Sequence, residues 1–237
     1  MPSMQAVPCN TREGTDNRQL KPTAVGRVEK RASAKHGDYG AGADTKLLGT
    51  KGHPFPAWLS FHLNNEVRRC SHPPEKIIDG LGVKATDVVL DFGCGPGFFT
   101  VPLAKVAREV VAIDSQPKML GKLSKYAKKN GVKVKALQSD GQSIPLPDGS
   151  FDLIFLSGVY HELAEKRKVL TELKRLLKPG GRIVIRERVQ SGHLAFGPPA
   201  VDTKEVSEEL KAIGLTALTP VTDPSDKGAT LMTATAQ

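Results

Sequence analysis

The chain reads as an α/β protein with a parallel sheet covered by helices on both sides. Three observations predict this. Short apolar runs alternate with segments of helical period from residue 88 to the end of the chain. The links between them are short and rich in Gly, Pro, Asn and Asp. The run Val88-Val89-Leu90-Asp91-Phe92 passes through Gly93-Cys94-Gly95-Pro96-Gly97 into a helical pattern at Phe98, as expected for a buried strand, a tight turn and a helix start.

The elements follow in order. Residues 1–50 are rich in Gly, Ala, Ser, Thr, Asn and charge, have few large apolar side chains, and read as a disordered or loosely attached basic tail. Residues 51–82 form a second unit, an N-terminal helical lid. Phe55, Trp58, Leu59, Phe61, Leu63 and Val67 suggest a short helix between Pro54 and Arg69, with Trp58 and Phe61 as an acceptor wall or as ordinary packing. A second helix opens at Pro73-Pro74, where proline is tolerated in the first turn, and stops by Gly80 and Gly82. Residues 83–237 form the main domain.

There, strand Val88–Phe92 leads to helix Phe98–Ala107, and strand Val110–Ile113 leads to helix Pro117–Lys129, stopped by Asn130-Gly131. Strand Val132–Leu137 and a turn-rich link precede strand Phe151–Leu156. Helix His161–Leu177 ends at Pro179-Gly180-Gly181, before strand Arg182–Arg188. Asp202-Thr203-Lys204-Glu205 caps helix Lys204–Ile213, and two strands near Leu215–Val221 and Thr230–Ala234 close the chain.

Composition narrows the function. No apolar run reaches the eighteen or so residues of a membrane span. Met1-Pro2-Ser3-Met4-Gln5 leads into no apolar stretch, so no secretory leader is expected. The three cysteines are far apart and form no CxxC, which argues against a zinc site and a disulfide framework; no metal is expected and a reducing cytoplasm is the simplest location. The net charge of +9 would suit nucleic acid, yet much of it comes from seven lysines between Asp114 and Asp140. Lys118, Lys122, Lys125 and Lys129 repeat at helical spacing beside Met119, Leu123 and Tyr126, the pattern of a solvated helix face.

The chemistry sits at the strand ends, where open α/β sheets bind ligands. G-x-G-x-G is not the dinucleotide spacing, which disfavours a dehydrogenase. The second strand ends in Asp114, 21 residues after Gly93, where an acid can accept hydrogen bonds from both ribose hydroxyls. The third ends in Gln138-Ser139-Asp140-Gly141, where a carboxylate can accept from an adenine amino group, and the fourth in Ser157-Gly158. One such acid could be a helix cap; three at successive strand ends point to a nucleoside.

LDFGCGPGFFT (90–100), VVAIDSQPKML (110–120), LQSDGQSIPLPDGSFDLI (137–154) and LKRLLKPGGRIVI (173–185) together resemble the class I S-adenosylmethionine-dependent methyltransferases, in the methyltransferase type 11 or UbiE-like group, over about residues 70–190. The resemblance implies a Rossmann-like, doubly wound, seven-stranded sheet, mostly parallel with an antiparallel last strand, and S-adenosyl-L-methionine as cofactor. It implies that Asp91 and the backbone around Gly93, Cys94 and Gly95 contact the methionine portion. Asp114 would bind the ribose, Ser115 and Met119 would flank the adenine, Asp140 with Gly141 would meet the adenine amino group, and Ser157 would line the pocket. Cys94 is then a small turn residue, not a nucleophile.

The implied reaction is an in-line displacement, in which the protein mainly orients its reactants and excludes water. Tyr160-His161-Glu162 follows the fourth strand and faces the acceptor position. His161 is the candidate general base, with Tyr160 beside it; either could instead shape the pocket. Glu162 would stabilise a helix start, and His193 lies in a loop and carries no assignment. Ser157-Gly158-Val159-Tyr160 is not the Asn/Asp-Pro-Pro-aromatic motif of amino-methylating DNA enzymes, which favours a small-molecule acceptor. An RNA-directed methyltransferase using the basic surface is the alternative, a nucleic-acid partner is possible but not favoured, and a non-catalytic relative keeping the fold is a third reading. The sequence does not fix the oligomeric state.

Overall fold

The computed structural model describes residues 55–57, 60, 63–189 and 200–237. The expected tail and residues Trp58, Phe61 and His193 lie outside the described residues. Helices α1 (Glu66–Ser71) and α2 (Pro74–Leu81) precede β1 (Val88–Phe92), α3 (Thr100–Val106), β2 (Glu109–Asp114), α4 (Pro117–Lys129), β3 (Lys135–Gln138) and β4 (Phe151–Ser157). Then come α5 (Lys166–Leu176), β5 (Leu177–Arg188), α6 (Thr203–Ala212), β6 (Thr216–Ala217), β7 (Val221–Asp223) and β8 (Asp226–Thr235).

The strand order is β3-β2-β1-β4-β5-β8-β6, with β7 also paired to β8. The first five strands are parallel, and β8 runs antiparallel to β5. The expectation of seven strands with an antiparallel last one differs from this by a single interruption. Thr216–Ala217 pairs with the C-terminal end of β8 and Val221–Asp223 with its N-terminal part, so β6 and β7 share one side of β8.

Successive strand side chains point to opposite faces, and the two faces are packed by different helices. Leu90, Phe92, Ile154 and Leu156 meet Val169, Leu170, Leu173 and Leu176 of α5 and Val206 and Leu210 of α6. Val89, Leu153 and Phe155 meet Ile77, Ile78 and Leu81 of α2 and Leu103 of α3. Ala112 of β2 meets Leu123 and Ala127 of α4. All five residues of β1 are buried, as a strand covered on both sides requires. Truncating a side chain such as Leu103, 0% exposed, costs about 2–5 kcal/mol at sites of this kind.

Boundaries moved where local bonding overrode pattern. β3 starts at Lys135 because the Val132 N–H still closes α4, donating to the Ala127 carbonyl at 3.1 Å. The helix expected from His161 starts instead at Lys166. Tyr160–Glu162 is a separate 3-10 turn, and Leu163 then takes an extended conformation that breaks the helix. Among the described residues, Cys94 is a free, buried thiol.

Strand order reverses between β1 and β4. Their carboxyl ends, with those of β2 and β5, therefore surround one crevice, the place where this architecture takes ligands.

Candidate functional site

At that crevice lies a cavity of about 1210 Å³. Pockets for single drug-sized ligands run to roughly 1,000 Å³, so this cavity lies just above that range. Ten of the residues singled out from the sequence line it: Asp91, Gly93, Cys94, Gly95, Asp114, Ser115, Met119, Asp140, Ser157 and His161. Gly141 and Tyr160 do not.

The β1 turn forms the cavity floor through its backbone. The Gly93 and Cys94 N–H groups both donate to the Ile113 carbonyl, at 2.7 and 2.9 Å, which locks the turn onto β2. Gly93 has φ 73°, and a Cβ there would stand 2.2 Å from Val159 Cγ2, so no other residue fits. At Gly95, by contrast, a Cβ would meet nothing nearer than Leu63 Cδ1 at 4.0 Å. The backbone there is open to a ligand's close approach.

Two buried carboxylates frame this floor. Asp114 accepts from Gly95 N at 2.9 Å through Oδ2 and from Gln116 N at 2.8 Å through Oδ1, leaving a lone pair on each oxygen. Asp91 accepts from Thr100 Oγ1 at 2.5 Å. Burial, reinforced by the charge of Asp114, pushes the Asp91 carboxyl up to about 7 against the pull of the Thr100 hydroxyl. Burial also raises Asp114. Burial and these two acids push the Cys94 thiol up, so it stays protonated and is no nucleophile. Asp140 is exposed at the cavity edge and is bonded to Gln142 N at 3.0 Å.

The opposite part of the cavity is built by long-range contacts from the end of β5. Glu187 is 1% exposed. Its Oε1 accepts from Tyr160 N at 2.7 Å, and its Oε2 lies 2.8 Å from His161 Nδ1. This carboxylate fixes the 3-10 turn and directs a proton to Nδ1, which leaves Nε2 as the free ring nitrogen. Burial lowers the His161 pKa, but the hydrogen bond and charge of Glu187 outweigh it, and the net shift is upward. The Glu162 carboxylate, 3.9 Å from Nε2, is raised by burial to about 7 and accepts from Phe55 N at 3.2 Å.

Two expectations change. Tyr160 is fully buried in the core under α5 and α6, and its hydroxyl donates to Glu209 Oε2 at 2.7 Å. Burial and Glu209 raise its pKa, so it is a structural residue and not a catalytic one. Gly141 lies behind the cavity, where a Cβ would stand 2.4 Å from the Phe92 ring. Sequence reading missed Glu187, although a charged Arg186-Glu187-Arg188 at the end of the apolar Ile183-Val184-Ile185 run was a usable signal. It also missed Gln116, whose Nε2 donates to the Phe55 carbonyl at 2.8 Å and ties the N-terminal segment over the cavity.

The open backbone at Gly95, a strand-end acid with spare lone pairs and a second buried acid fit a ligand carrying vicinal hydroxyls and an ammonium group. These features define a nucleoside-binding α/β fold of the methyltransferase type. Residues 90–185 match the family described as "Methyltransferase domain". A crystal structure of a SAM-dependent methyltransferase from Aquifex aeolicus is 31% identical, with a TM-score of 0.71 over 78% of this chain and 100% of that one. A demethylmenaquinone methyltransferase from Thermus thermophilus is 36% identical over 116 residues, 48% of this chain and 53% of that one. The UbiE ubiquinone/menaquinone biosynthesis C-methyltransferase from Citrobacter koseri is 34% identical over 115 residues, 46% of each chain. The chain thus spans about half the length of these curated relatives. It belongs to the S-adenosylmethionine-dependent methyltransferases.

Proposed function

We propose that this chain transfers a methyl group to a small-molecule acceptor that carries an ionisable hydroxyl. The observation that carries this reading is the junction, in one cavity, of the Asp91–Asp114 floor with the Glu187-oriented imidazole of His161. When bound, S-adenosylmethionine supplies an activated methyl group on a sulfonium leaving group. Asp114 would hold the ribose hydroxyls, Asp91 the ammonium of the methionine portion, Ser115 and Met119 the adenine faces, and Asp140 its amino group. Nε2 of His161 takes the acceptor proton while Glu187 stabilises the imidazolium that forms. Glu162, whose carboxyl burial raises to about 7, stands 3.9 Å from Nε2 as a second group that can exchange a proton there.

The described part of the segment before β1 acts as the lid of this domain. Phe55, Leu63 and Arg68 line the cavity, and Gln116 and Lys122 bond to the Phe55 and Ala57 carbonyls at 2.8 and 2.7 Å. The names of the Thermus and Citrobacter relatives favour an aromatic, quinone-like acceptor. Nothing favours RNA: Lys118, Lys122, Lys125 and Lys129 are exposed on α4, and none lines the cavity. The test is transfer of labelled methyl from S-adenosylmethionine into a small-molecule metabolite extract, with total RNA in parallel. Label in the extract alone is expected; label in RNA alone would overturn the reading.

A further inference from the structure

Away from the Asp91–Asp114 floor, the cavity is bounded by α1 and the end of β5. Three arginines line it there: Arg68, Arg186 and Arg188. They differ in what they already hold. Arg186 is buried and matched, its Nε donating to Asp223 Oδ2 at 2.5 Å and its Nη2 to Asp226 Oδ2 at 3.4 Å. Arg68 donates through Nη1 to the Leu63 carbonyl at 2.5 Å and lies 4.2 Å over the Phe98 ring; no carboxylate among the described residues stands within ion-pair distance of it, and Asp226 acts on it only through its charge. Arg188 has no side-chain hydrogen bond or ion pair among the described residues.

The carboxylates nearby are engaged elsewhere. Glu187 serves Tyr160 and His161, Glu162 accepts from Phe55 N, and Asp226 accepts from Arg186 and from Gly228 N at 3.0 Å. No buried side-chain nitrogen or oxygen among the described residues lacks a partner, so the free N–H groups of Arg68 and Arg188 open onto the cavity or solvent. Burial and the charges of Arg186 and Arg69 lower the Arg68 pKa to about 10, against the weaker opposing charge of Asp226. Phe98, under Arg68, and Phe99 also line the cavity, with ring centroids 4.9 Å apart, edge to face.

We propose that Arg68 and Arg188 bind an oxyanion, a carboxylate or a phosphate ester, carried by an acceptor whose apolar or aromatic body packs on Phe98 and Phe99. A planar guanidinium with unused donors binds such a group in forked pairs of charge-assisted hydrogen bonds. This rests on the methyltransferase reading and narrows it. An anionic acceptor would set this chain apart from demethylmenaquinone, the acceptor named for the Thermus protein.

The test is calorimetric titration of the full chain, alone and saturated with S-adenosylhomocysteine, with benzoate, phenyl phosphate and neutral methyl benzoate. At least one anion binds about tenfold tighter than the ester or more, since each tenfold step needs only about 1.4 kcal/mol, and the benzoate-to-phosphate ratio tells which oxyanion is read. Arg188→Gln and Arg68→Gln each remove most of that preference while S-adenosylhomocysteine affinity is unchanged, which also shows that both variants fold. Equal or absent binding of anion and ester, or an anion preference that survives both substitutions, overturns the proposal. Arginine-dependent anion binding in a chain that fails to bind S-adenosylhomocysteine would support it and overturn the methyltransferase reading alone.

Discussion

The two sides of the cavity are made by different means. The β1–β2 side is backbone and short side chains: Gly93 and Cys94 bonded to Ile113, Asp114 bonded to Gly95 and Gln116. All of these residues fall within 24 consecutive positions of the chain. The β4–β5 side is long side chains brought together from distant segments: Glu187 to His161 across 26 residues, Phe55 to Glu162 across 107. The first side has one geometry and little tolerance. The second is held by side chains that the sheet itself does not fix, which suits a part that chooses the acceptor. If the proposed roles hold, cofactor binding and acceptor chemistry should be separable by mutation.

The largest expected effect is on the acceptor side. His161→Ala lowers methyl transfer by about 10²–10⁴-fold, the usual worth of a positioned general base, read as turnover of labelled methyl. Because Glu187 raises its pKa, His161 becomes an effective base only above a value higher than the usual 6.5. Turnover should rise with pH through that value. Glu187→Gln should move the step to lower pH, which a purely structural glutamate would not do.

The next effect breaks the cofactor side. Gly93→Ala forces a Cβ to 2.2 Å from Val159 at a positive φ and should abolish S-adenosylhomocysteine binding while lowering the melting temperature. Gly93→Ala combined with Val159→Ala should recover part of the stability. Equal melting temperatures for the single and double variants would show that the clash is not the cause.

The smallest effect is electrostatic. Asp91 has a folded pKa of about 7, above its unfolded value of 3.8. If its ionised form holds an ammonium, ligand binding below about pH 7 must expel a proton. S-adenosylhomocysteine affinity should therefore fall by up to about tenfold per pH unit as pH drops below 7. Asp91→Asn should flatten this profile. A wild-type affinity that does not change between pH 5 and 8 would remove Asp91 from the ammonium site.

The same contrast explains what was legible in the sequence. Asp91, Gly93, Gly95 and Asp114 announce themselves through local spacing, because a strand, a turn and a helix in immediate succession fix where those atoms go. The sheet order follows from the same alternation. Tyr160 was misread because its neighbours His161 and Val159 do reach the cavity, and only the tertiary packing on Glu209 turns it inward. The charged Arg186-Glu187-Arg188 that ends an apolar run marks a position but not a partner, and Arg68 carries no local mark at all, since which charges these side chains meet is settled only by the fold. The break between β6 and β7 falls at Leu218-Thr219-Pro220, where Pro220 has no N–H to donate to β8.

The division between the two sides is tested most directly by calorimetric titration of S-adenosylhomocysteine into wild type, Asp114→Ala and His161→Ala. Wild type should bind at one site. Asp114→Ala should bind at least about tenfold more weakly, since it removes a charged partner and leaves the Gly95 and Gln116 N–H groups without their acceptor. His161→Ala should match wild type within about twofold, below the tenfold step that 1.4 kcal/mol represents. Equal affinities for all three chains, or a loss in His161→Ala as large as that in Asp114→Ala, would contradict it.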